Sequence, residues 1–221
     1  MNFAVTTLGK RPTRQRKVIM LRDNFAICGS LGPGRKVFVK NSLNILAFSD
    51  IHSNELILPS VKPNVVVLLG DICFRDVDRI NAAYSCPKIG VFGNHDGPDY
   101  FDDTEIINLH SKKITIEGIT FGGFGGARRY SHKLFGQYDE EEAEQALERL
   151  GRVDVFLAHD GPANQSEPTD RAHRGFGAFA SYIKTYKPSY FLHGHMHEDK
   201  QYTLGNTLIT CVFGSKLVKI T

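Results

Sequence analysis

Short apolar runs alternate with polar, helix-like segments from residue 44 onwards. The clearest run covers residues 65–69, five consecutive apolar residues rich in β-branched side chains, and Gly70 and Asp71 follow it. A run this short, apolar at every position and ended by glycine, predicts a strand buried on both faces, as central parallel strands are. Asp71 is then expected at the carboxyl end of that strand, the edge where open α/β sheets bind ligands.

The same patterns predict most of the other elements. Strands are predicted over residues 45–48, 88–92, 153–158 and 189–192, and helices near Asn54 and over residues 76–83, 139–150 and 176–186. A hairpin is predicted over residues 113–117 and 119–123, and antiparallel strands over residues 200–204, 207–213 and 216–220. Alternation of apolar strands with helices is typical of a layered α/β domain.

Residues 1–43 have a different character. Four β-rich pieces, at residues 3–8, 17–22, 25–28 and 36–39, are separated by turn formers, which predicts a small hairpin extension. Residues 1–40 hold nine Lys or Arg and one acid, a net charge of +8 in a chain whose total is +3. A basic extension on an acidic body suits either contact with an anionic partner, such as nucleic acid, or a solvated surface. We therefore predict a basic, β-rich extension over residues 1–43 and a second domain over residues 44–221.

Composition narrows the class of protein. The chain has 221 residues and 41% hydrophobic residues, which is enough for a sizeable core. No apolar run approaches the roughly 20 residues of a membrane span, and basic residues occupy the N-terminal region where a signal peptide is apolar, so we expect no membrane partner and a cytoplasmic location. The four cysteines form no CxxC pair, which argues against a disulfide framework or a thiolate zinc site.

Side chains that can bind metals follow most of the predicted strands. They are Asp50, His52, Asp71, Asn94, His95, His159, His195 and His197. Imidazoles and carboxylates without thiolates suit manganese, iron, zinc or related divalent ions. The ligands suffice for two ions, and a pair of ions about 3.5–4 Å apart is a known device for phosphoryl transfer. Asp71, on the central strand, is the expected bridge.

The spacing of the paired ligands supports this interpretation. In Asp50-Ile51-His52, side chains two residues apart lie on the same side of an extended backbone and can reach one ion. His195-Met196-His197 has the same spacing, but a tight turn there would send the two imidazoles to different ions.

Five motifs occur in a fixed order: Asp50-x-His52, Gly70-Asp71, Gly93-Asn94-His95-Asp96, His159 and Gly194-His195-x-His197. Over about residues 44–221 this order resembles the calcineurin-like metallophosphoesterase superfamily. The resemblance implies a four-layer α-β-β-α sandwich with two mixed β-sheets and a dinuclear metal site at the sheet edge. It implies one ion held by Asp50, His52, Asp71 and His197, and the other by Asp71, Asn94, His159 and His195. It also implies that His95 protonates the leaving oxygen or stabilises the charged transition state.

One position departs from the superfamily pattern. The second motif often has another Asp three residues after Gly-Asp, where this chain has Phe74. That Asp usually supports the catalytic histidine, so in this chain the support of His95 falls to Asp96, Asp76 or a backbone carbonyl.

Other polar residues have weaker signals. A polar loop after His159 contains Arg171, His173 and Arg174. Either a guanidinium there clamps a phosphate of the substrate, or the loop is exposed and has no such role. The region from His159 to the HGHMH stretch also resembles small single-domain phosphodiesterases of the superfamily. His193 is expected beside the ligands, at the substrate mouth or in a structural role, and His110 in a structural role. Arg128, Arg129 and His132 are weaker candidates for facing the substrate.

The sequence therefore predicts a metal-dependent phosphoesterase, most specifically a phosphodiesterase in which a metal-bound hydroxide attacks a small or nucleotide-like ester. The expected cofactors are two divalent ions, manganese first and iron, zinc, magnesium, nickel or cobalt as alternatives. The alternative functions are a phosphomonoesterase or phosphoprotein phosphatase, a nuclease or nucleic-acid end-processing enzyme acting through the basic extension, and a non-catalytic scaffold of the same fold.

Overall fold

The computed structural model describes residues 42–52, 55–163 and 170–221. The β-rich pieces of the N-terminal extension and Asn54 lie outside these ranges. The extension, its boundary at residue 43 and its contact with nucleic acid therefore stay predictions.

The described residues form thirteen strands and three helices. In chain order these are β1 (Leu43–Ser49), β2 (Val65–Leu68), α1 (Phe74–Ala83), β3 (Lys88–Gly90), β4 (Ile107–Asn108), β5 (Lys112–Ile116), β6 (Ile119–Phe124), β7 (Ala127–Arg128), β8 (Gln137–Tyr138), α2 (Glu140–Leu150), β9 (Val155–Ala158), α3 (Gly177–Tyr186), β10 (Tyr190–His193), β11 (Lys200–Leu204), β12 (Thr207–Cys211) and β13 (Gly214–Ile220).

Two mixed sheets carry the fold. The first has the strand order β13-β1-β2-β3-β4, in which β1 to β4 are parallel and β13 is antiparallel to β1. The second has the order β11-β12-β10-β9-β6-β5, with a parallel centre and antiparallel strands at both edges. A short pair, β7 and β8, lies apart from both sheets. The parallel strands β1, β2, β9 and β10 are central, so their carboxyl ends are flanked by backbone on both sides.

Three apolar clusters define four layers. Alternate residues of β2 face opposite ways, so that Val67 packs with Leu157 of the second sheet while Val66 packs with Val77 of α1. The outer face of the second sheet packs against α2 and α3. Every residue of β2 is buried, as the apolar run predicts. The predicted α-β-β-α sandwich with two mixed sheets is confirmed.

The connection between β1 and β2 differs from expectation. A helix was predicted near Asn54, but residues 55–64 form neither helix nor strand. Pro59 and Pro63 explain this, because proline lacks the amide hydrogen of a helical bond and disfavours helical geometry in the residue before it. The apolar side chain of Leu56 still packs into the cluster beneath α1, so the segment covers the sheet without being helical.

The three helices are short, and carboxylates anchor the starts of α2 and α3. The backbone N–H of Asp139 donates to the Glu142 carboxylate at 2.7 Å, which closes the first turn of α2. The carboxylate of Glu140 accepts the N–H groups of Gly177 and Ala178, each at 3.0 Å, and so ties α2 to the start of α3. Among the described residues, no helix combines the length and apolar character that crossing a membrane requires.

The aromatic layer beneath α3 predicts a large loss of stability when it is truncated. Phe156 is fully buried, and its ring centroid lies 4.8 Å from that of Tyr182 and 5.0 Å from that of Phe191. We expect Phe156→Ala to lower the free energy of unfolding by about 3–5 kcal/mol, measured by urea denaturation. Leu134→Ala is the control: Leu134 is 97% exposed, and we expect a change within about 0.5 kcal/mol. Equal midpoints for the two variants would contradict this packing.

Candidate metal centre

The predicted ligands follow the carboxyl ends of central strands. Asp50 follows β1, Asp71 follows β2 and Asn94 follows β3 in the first sheet, whereas His159 follows β9 and His195 and His197 follow β10 in the second. Contacts join the two sheets at this edge: the N–H of His195 donates to Asp50 Oδ2 at 2.8 Å, and His159 Nδ1 lies 2.7 Å from the carbonyl oxygen of Leu69. The two sheets thus bring these side chains to one place.

The backbone here is not extended, which corrects the expectation for Asp50-Ile51-His52. Four predicted ligands have left-handed backbone angles: Asp50 (φ 54°), Asp71 (φ 55°), His195 (φ 67°) and His197 (φ 51°). Non-glycine residues rarely adopt this region, and they keep it only where the surroundings enforce it. The turn after β1 is held because the N–H groups of Ile51 and His52 both donate to the carbonyl of Asp71, at 3.0 and 3.2 Å.

One group of ligand atoms comprises Asp50, His52 and His197, which lie within 4.8 Å of one another. The Asp50 carboxylate is fully buried, while both imidazoles are exposed. Its Oδ2 accepts hydrogen bonds from the Ser49 hydroxyl (2.6 Å) and the His195 N–H. Its Oδ1 has no hydrogen-bond partner among the described residues, although His197 Nε2 lies 3.5 Å away. A buried carboxylate oxygen without a donor, facing imidazoles, fits a divalent cation.

A second group comprises Asp50, Asp71 and His159, all buried and also within 4.8 Å of one another. His159 Nδ1 donates to the Leu69 carbonyl, since a carbonyl can only accept, and this fixes the imidazole. Its Nε2 lies 3.4 Å from Asp71 Oδ2 and 2.9 Å from Asn94 Oδ1. Asp50, Asp71 and His159, which follow three different strands, therefore bring their ligand atoms to one point.

Charge holds this second group together in the metal-free protein. Burial by itself lowers the pKa of His159, but the neighbouring Asp71 carboxylate outweighs it and raises that pKa to about 10. Burial by itself raises the pKa of Asp71, but its contact with His159 outweighs it and leaves the pKa below its ordinary value. His159 and Asp71 therefore form a buried ion pair, with Nε2 and Oδ2 3.4 Å apart.

Asn94 is oriented by residues that sequence reasoning missed. Its side-chain amide donates to the hydroxyl of Tyr130 at 2.9 Å, which directs the amide oxygen towards His159. The Lys133 ammonium donates to the Asn94 carbonyl. Tyr130 is 36 residues away in the sequence and carries no motif, so nothing in the chain signals its role.

His95 has an anchored backbone and a free ring. Its N–H donates to Asp71 Oδ1 at 2.9 Å, while its exposed ring lies 5.5 Å, centroid to centroid, from that of His52. Among the described residues, the ring has no hydrogen-bond partner. Within the described ranges no acid replaces the one missing at Phe74: Phe74 begins α1, and its ring centroid lies 5.9 Å from that of Tyr100.

The two acids proposed as substitutes have other partners. Asp96 accepts the N–H groups of Asp71 (2.9 Å) and Gly93 (2.6 Å), and so joins the loops that follow β2 and β3. Burial and the nearby Asp71 charge raise the pKa of Asp96 to about 7. Asp76 pairs with Arg79 at 3.0 Å and with Arg75 at 3.3 Å.

His195 is near the centre but belongs to neither compact group. Its Nε2 donates to the carbonyl of Ala172 at 2.8 Å, and its ring lies 4.9 Å from that of His159. Burial lowers the pKa of His195. Because Nε2 is occupied, Nδ1 is the atom that a neutral His195 can offer to a cation. The turn brings His197 close to Asp50 and His195 close to His159. The two imidazoles therefore lie beside different members of the site, as a tight turn in His195-Met196-His197 allows.

The three predicted substrate-binding residues differ in what their side chains contact. The ring of His173 lies 4.8 Å from that of His195, and its Nδ1 pairs with Asp170 at 2.9 Å. Arg174 is half-buried and donates from Nε to the carbonyl of Arg171. The Arg171 side chain is exposed. Only His173 makes ring contact with a predicted ligand.

The weaker candidates mostly face elsewhere. Arg128 pairs with Glu140 at 3.2 Å, and Arg129 with Asp139 at 3.0 Å, so both guanidinium groups bind α2 or its cap. His132 is exposed. Nδ1 of His110 accepts the N–H of Gly125, and burial lowers the pKa of His110 to about 4, as suits a structural residue. Burial likewise lowers the pKa of His193 to about 4, so that its imidazole is neutral.

Gly194 yields a prediction about the first group of ligands. A Cβ atom there would lie 1.8 Å from Ser49 Oγ and 2.4 Å from Asp50 Oδ2. We expect Gly194→Ala to displace Asp50 and weaken Mn²⁺ binding by on the order of tenfold or more, measured by isothermal titration calorimetry. Gly177→Ala is the matched control, because its Cβ would approach no atom closer than 3.6 Å. Equal Mn²⁺ affinities for the two variants would refute the role of this close packing.

The ion pair yields a prediction about pH. A metal binds neutral imidazole, so a cation that reaches His159 Nε2 must displace its proton. Since the pKa of His159 is about 10, we expect close to one proton to be released per ion bound there at roughly pH 8.5, and affinity to rise with pH up to the pKa. Calorimetry in buffers of different ionisation enthalpy measures this release, which His159→Gln should remove. A binding enthalpy independent of buffer would show that His159 is not displaced.

Comparison with known proteins agrees with the geometry. Residues 43–199 match the model of the calcineurin-like phosphoesterase family. A search of curated protein sequences found no match. Among solved structures, the protein TT1561 of Thermus thermophilus is similar (TM-score 0.58, 18% identity, 81% of this chain and 98% of that one). The phosphopantetheinyl hydrolase PptH from Mycobacterium tuberculosis is also similar (TM-score 0.58, 15% identity, 77% and 89%). These two likenesses show the fold, and the family match covers most of the chain, which therefore belongs to the calcineurin-like phosphoesterase family.

Proposed function

We propose that this chain is a divalent-metal-dependent phosphodiesterase that hydrolyses a small or nucleotide-like phosphate ester. The observation that carries the proposal is the pair of ligand groups, Asp50 with His52 and His197, and Asp50 with Asp71 and His159. Two adjoining groups of this kind suit two ions that act on one phosphoryl group. Membership of the family supports a phosphate ester as the substrate.

The proposed ligands are those that the sequence suggested, with manganese as the first candidate ion. One ion would be held by Asp50, His52, Asp71 and His197, and the other by Asp71, Asn94, His159 and His195. When bound, the ions would acidify a water molecule and neutralise charge on the phosphoryl oxygens. The unpartnered Oδ1 of Asp50 and the fixed tautomer of His159 support this assignment. Asp71 is the proposed bridge between the two ions. Asp50 is the alternative bridge, because it is common to both ligand groups.

His95 is the proposed proton donor. Its N–H bond to Asp71 fixes the backbone beside the ligands, while the exposed ring near His52 is accessible to a leaving oxygen. We propose that the bound ester orients this ring, because the protein supplies no hydrogen bond to it among the described residues. Catalytic hydrogen bonds of this kind commonly form only in the complex with substrate. His173 and Arg174 are the proposed contacts to the ester, because both line a cavity and the His173 ring lies 4.8 Å from that of the proposed ligand His195.

Phosphodiester hydrolysis tests the proposal. With Mn²⁺ present, we expect the protein to hydrolyse bis(4-nitrophenyl) phosphate, and His95→Ala to lower kcat by about 10²- to 10⁴-fold with Mn²⁺ binding unchanged. Asp71→Asn and Asp50→Asn should instead bind less Mn²⁺. The variant that removes the bridging carboxylate should lose both ions, and the other variant should lose one. Glu144→Ala, on the exposed face of α2, is the surface control and should keep its rate.

The outcomes separate the alternatives. Faster turnover of 4-nitrophenyl phosphate than of the diester would favour a phosphomonoesterase. No hydrolysis of either ester by Mn²⁺-loaded protein would contradict the proposal and favour a non-catalytic scaffold. Loss of Mn²⁺ by His95→Ala would place His95 among the ligands rather than at the leaving group.

A further inference from the structure

A cavity of about 250 Å³ lies beside the proposed metal centre. Six of its lining residues matter here: Pro162, His173, Arg174, His193, Met196 and Tyr202. His173 joins the cavity to the centre, since its ring lies 4.8 Å from that of His195 and 6.5 Å from that of His197. Met196 lies between these two histidines in the sequence. A molecule whose phosphorus lies at the centre therefore has this cavity as its neighbour.

His193 brings an unused hydrogen-bond acceptor to this cavity. The side chain is 3% exposed. Its Nδ1 lies 3.0 Å from the carbonyl oxygen of Gly194 and must donate to it, since a carbonyl can only accept. In the tautomer that makes this bond the lone pair is on Nε2, and Nε2 has no partner among the described residues. Buried polar atoms in native proteins almost always have partners, so an open acceptor on a residue that lines a cavity suits a donor supplied by a bound molecule.

The ring is held in this position by close packing. A Cβ atom at Gly161 would lie 2.9 Å from His193 Cε1, the ring carbon between the two nitrogens, so the imidazole occupies space that only glycine leaves open. The ring also lies 5.9 Å from that of Phe191. His193, which lines the cavity, is therefore held in a fixed position, as a recognition site requires.

The other polar groups around the cavity already have partners. Asp160 is buried, and its carboxylate accepts the N–H groups of Arg128 (3.0 Å) and Gly161 (2.7 Å). Glu198 pairs with Lys200 at 3.8 Å. Pro162, Met196 and Tyr202 contribute largely apolar surface. The cavity thus combines apolar walls, the Arg174 cation and one acceptor in need of a donor.

We infer that this cavity is a substrate subsite that receives an organic group of the phosphodiester, and that His193 Nε2 accepts a hydrogen bond from a hydroxyl or amino group on it. The inference deepens the proposed function and rests on it for the position of the phosphorus. A volume of about 250 Å³ is below the roughly 300–1,000 Å³ of sites for drug-sized ligands, so the group is about the size of a sugar or a base. The substrate class is therefore esters of polyols or nucleosides rather than esters of long alkyl chains.

Paired substrates test the subsite. We would compare ω-hydroxyalkyl 4-nitrophenyl phosphates with three, four and five carbons against the matching alkyl 4-nitrophenyl phosphates, which have the same leaving group and differ by one hydroxyl. We expect kcat/KM to favour the hydroxyl ester by about tenfold or more at one chain length, because an unpaired buried acceptor is costly. His193→Asn keeps a donor for the Gly194 carbonyl but lacks the Nε2 acceptor, and the preference should fall to about one. His193→Gln places an amide oxygen near the Nε2 position and should keep part of it.

A binding measurement separates this inference from the proposed function. The ¹⁵N signal of His193 Nε2 in the wild-type protein should shift on titration with the ω-hydroxyalkyl phosphate and not with the alkyl phosphate. Hydrolysis of both esters at equal kcat/KM, with no shift of this signal, would overturn the subsite and leave the phosphodiesterase standing. Hydrolysis of neither ester would refute the phosphodiesterase, and the Nε2 signal alone would then decide the subsite. A preference that persists in His193→Asn, with its melting temperature unchanged, would also overturn the assignment.

Discussion

The burial of two carboxylates at the ends of neighbouring strands is the constraint on which the rest of this structure depends. Asp50 and Asp71 are almost fully buried. An ionised carboxylate in such a position is costly unless donors or a cation surround it. The chain supplies donors from distant positions: the Ser49 hydroxyl and the His195 N–H for Asp50, and the His95 N–H for Asp71. Asp71 Oδ2 faces the imidazole of His159, whereas Asp50 Oδ1 has no donor among the described residues, and this unmet requirement suits the edge to a cation.

The same constraint explains why the backbone is strained here. Left-handed angles at Asp50, Asp71, His195 and His197 cost on the order of 1–3 kcal/mol each for residues with a side chain. Extended geometry would carry the chain on past the edge of the sheet, whereas a left-handed turn brings the side chain back over it. Gly70, Gly93 and Gly194 allow the loops to pack this closely, because a Cβ atom at any of them would come within 2.4 Å of the neighbouring loop or carboxylate. Rigid parallel strands beneath the turns hold this geometry in place.

The sequence was sufficient for the layers of the fold and for the identity of most polar groups at the sheet edge. Apolar runs locate buried strands, and a polar residue directly after such a run must lie at an edge, so Asp50, Asp71 and His159 could be placed without coordinates. Local geometry could not be obtained in this way. The left-handed turns depend on backbone bonds between the loops, such as those from Ile51 and His52 to Asp71. Tyr130 and the Ala172 carbonyl act through contacts between residues 36 and 23 positions apart that no local pattern encodes.

The contrast between strand ends, which the sequence predicts, and loops, which it does not, also separates the proposed chemistry of the site from its selectivity. The proposed ligands follow strand ends, and their positions follow from sheet registry, so one pattern of residues places the whole set. The proposed subsite is built differently: His193 ends β10, but Pro162, Arg174 and Met196 belong to loops whose paths depend on packing against each other. A change at Pro162 or Arg174 alters the cavity without removing a donor to Asp50 or Asp71, because those bonds come from the Ser49 hydroxyl and from the His195 and His95 N–H groups. In the proposed function the substrate can therefore vary while the metal chemistry stays the same. His193 Nε2, which has no partner among the described residues, is the position at which we expect that variation to act.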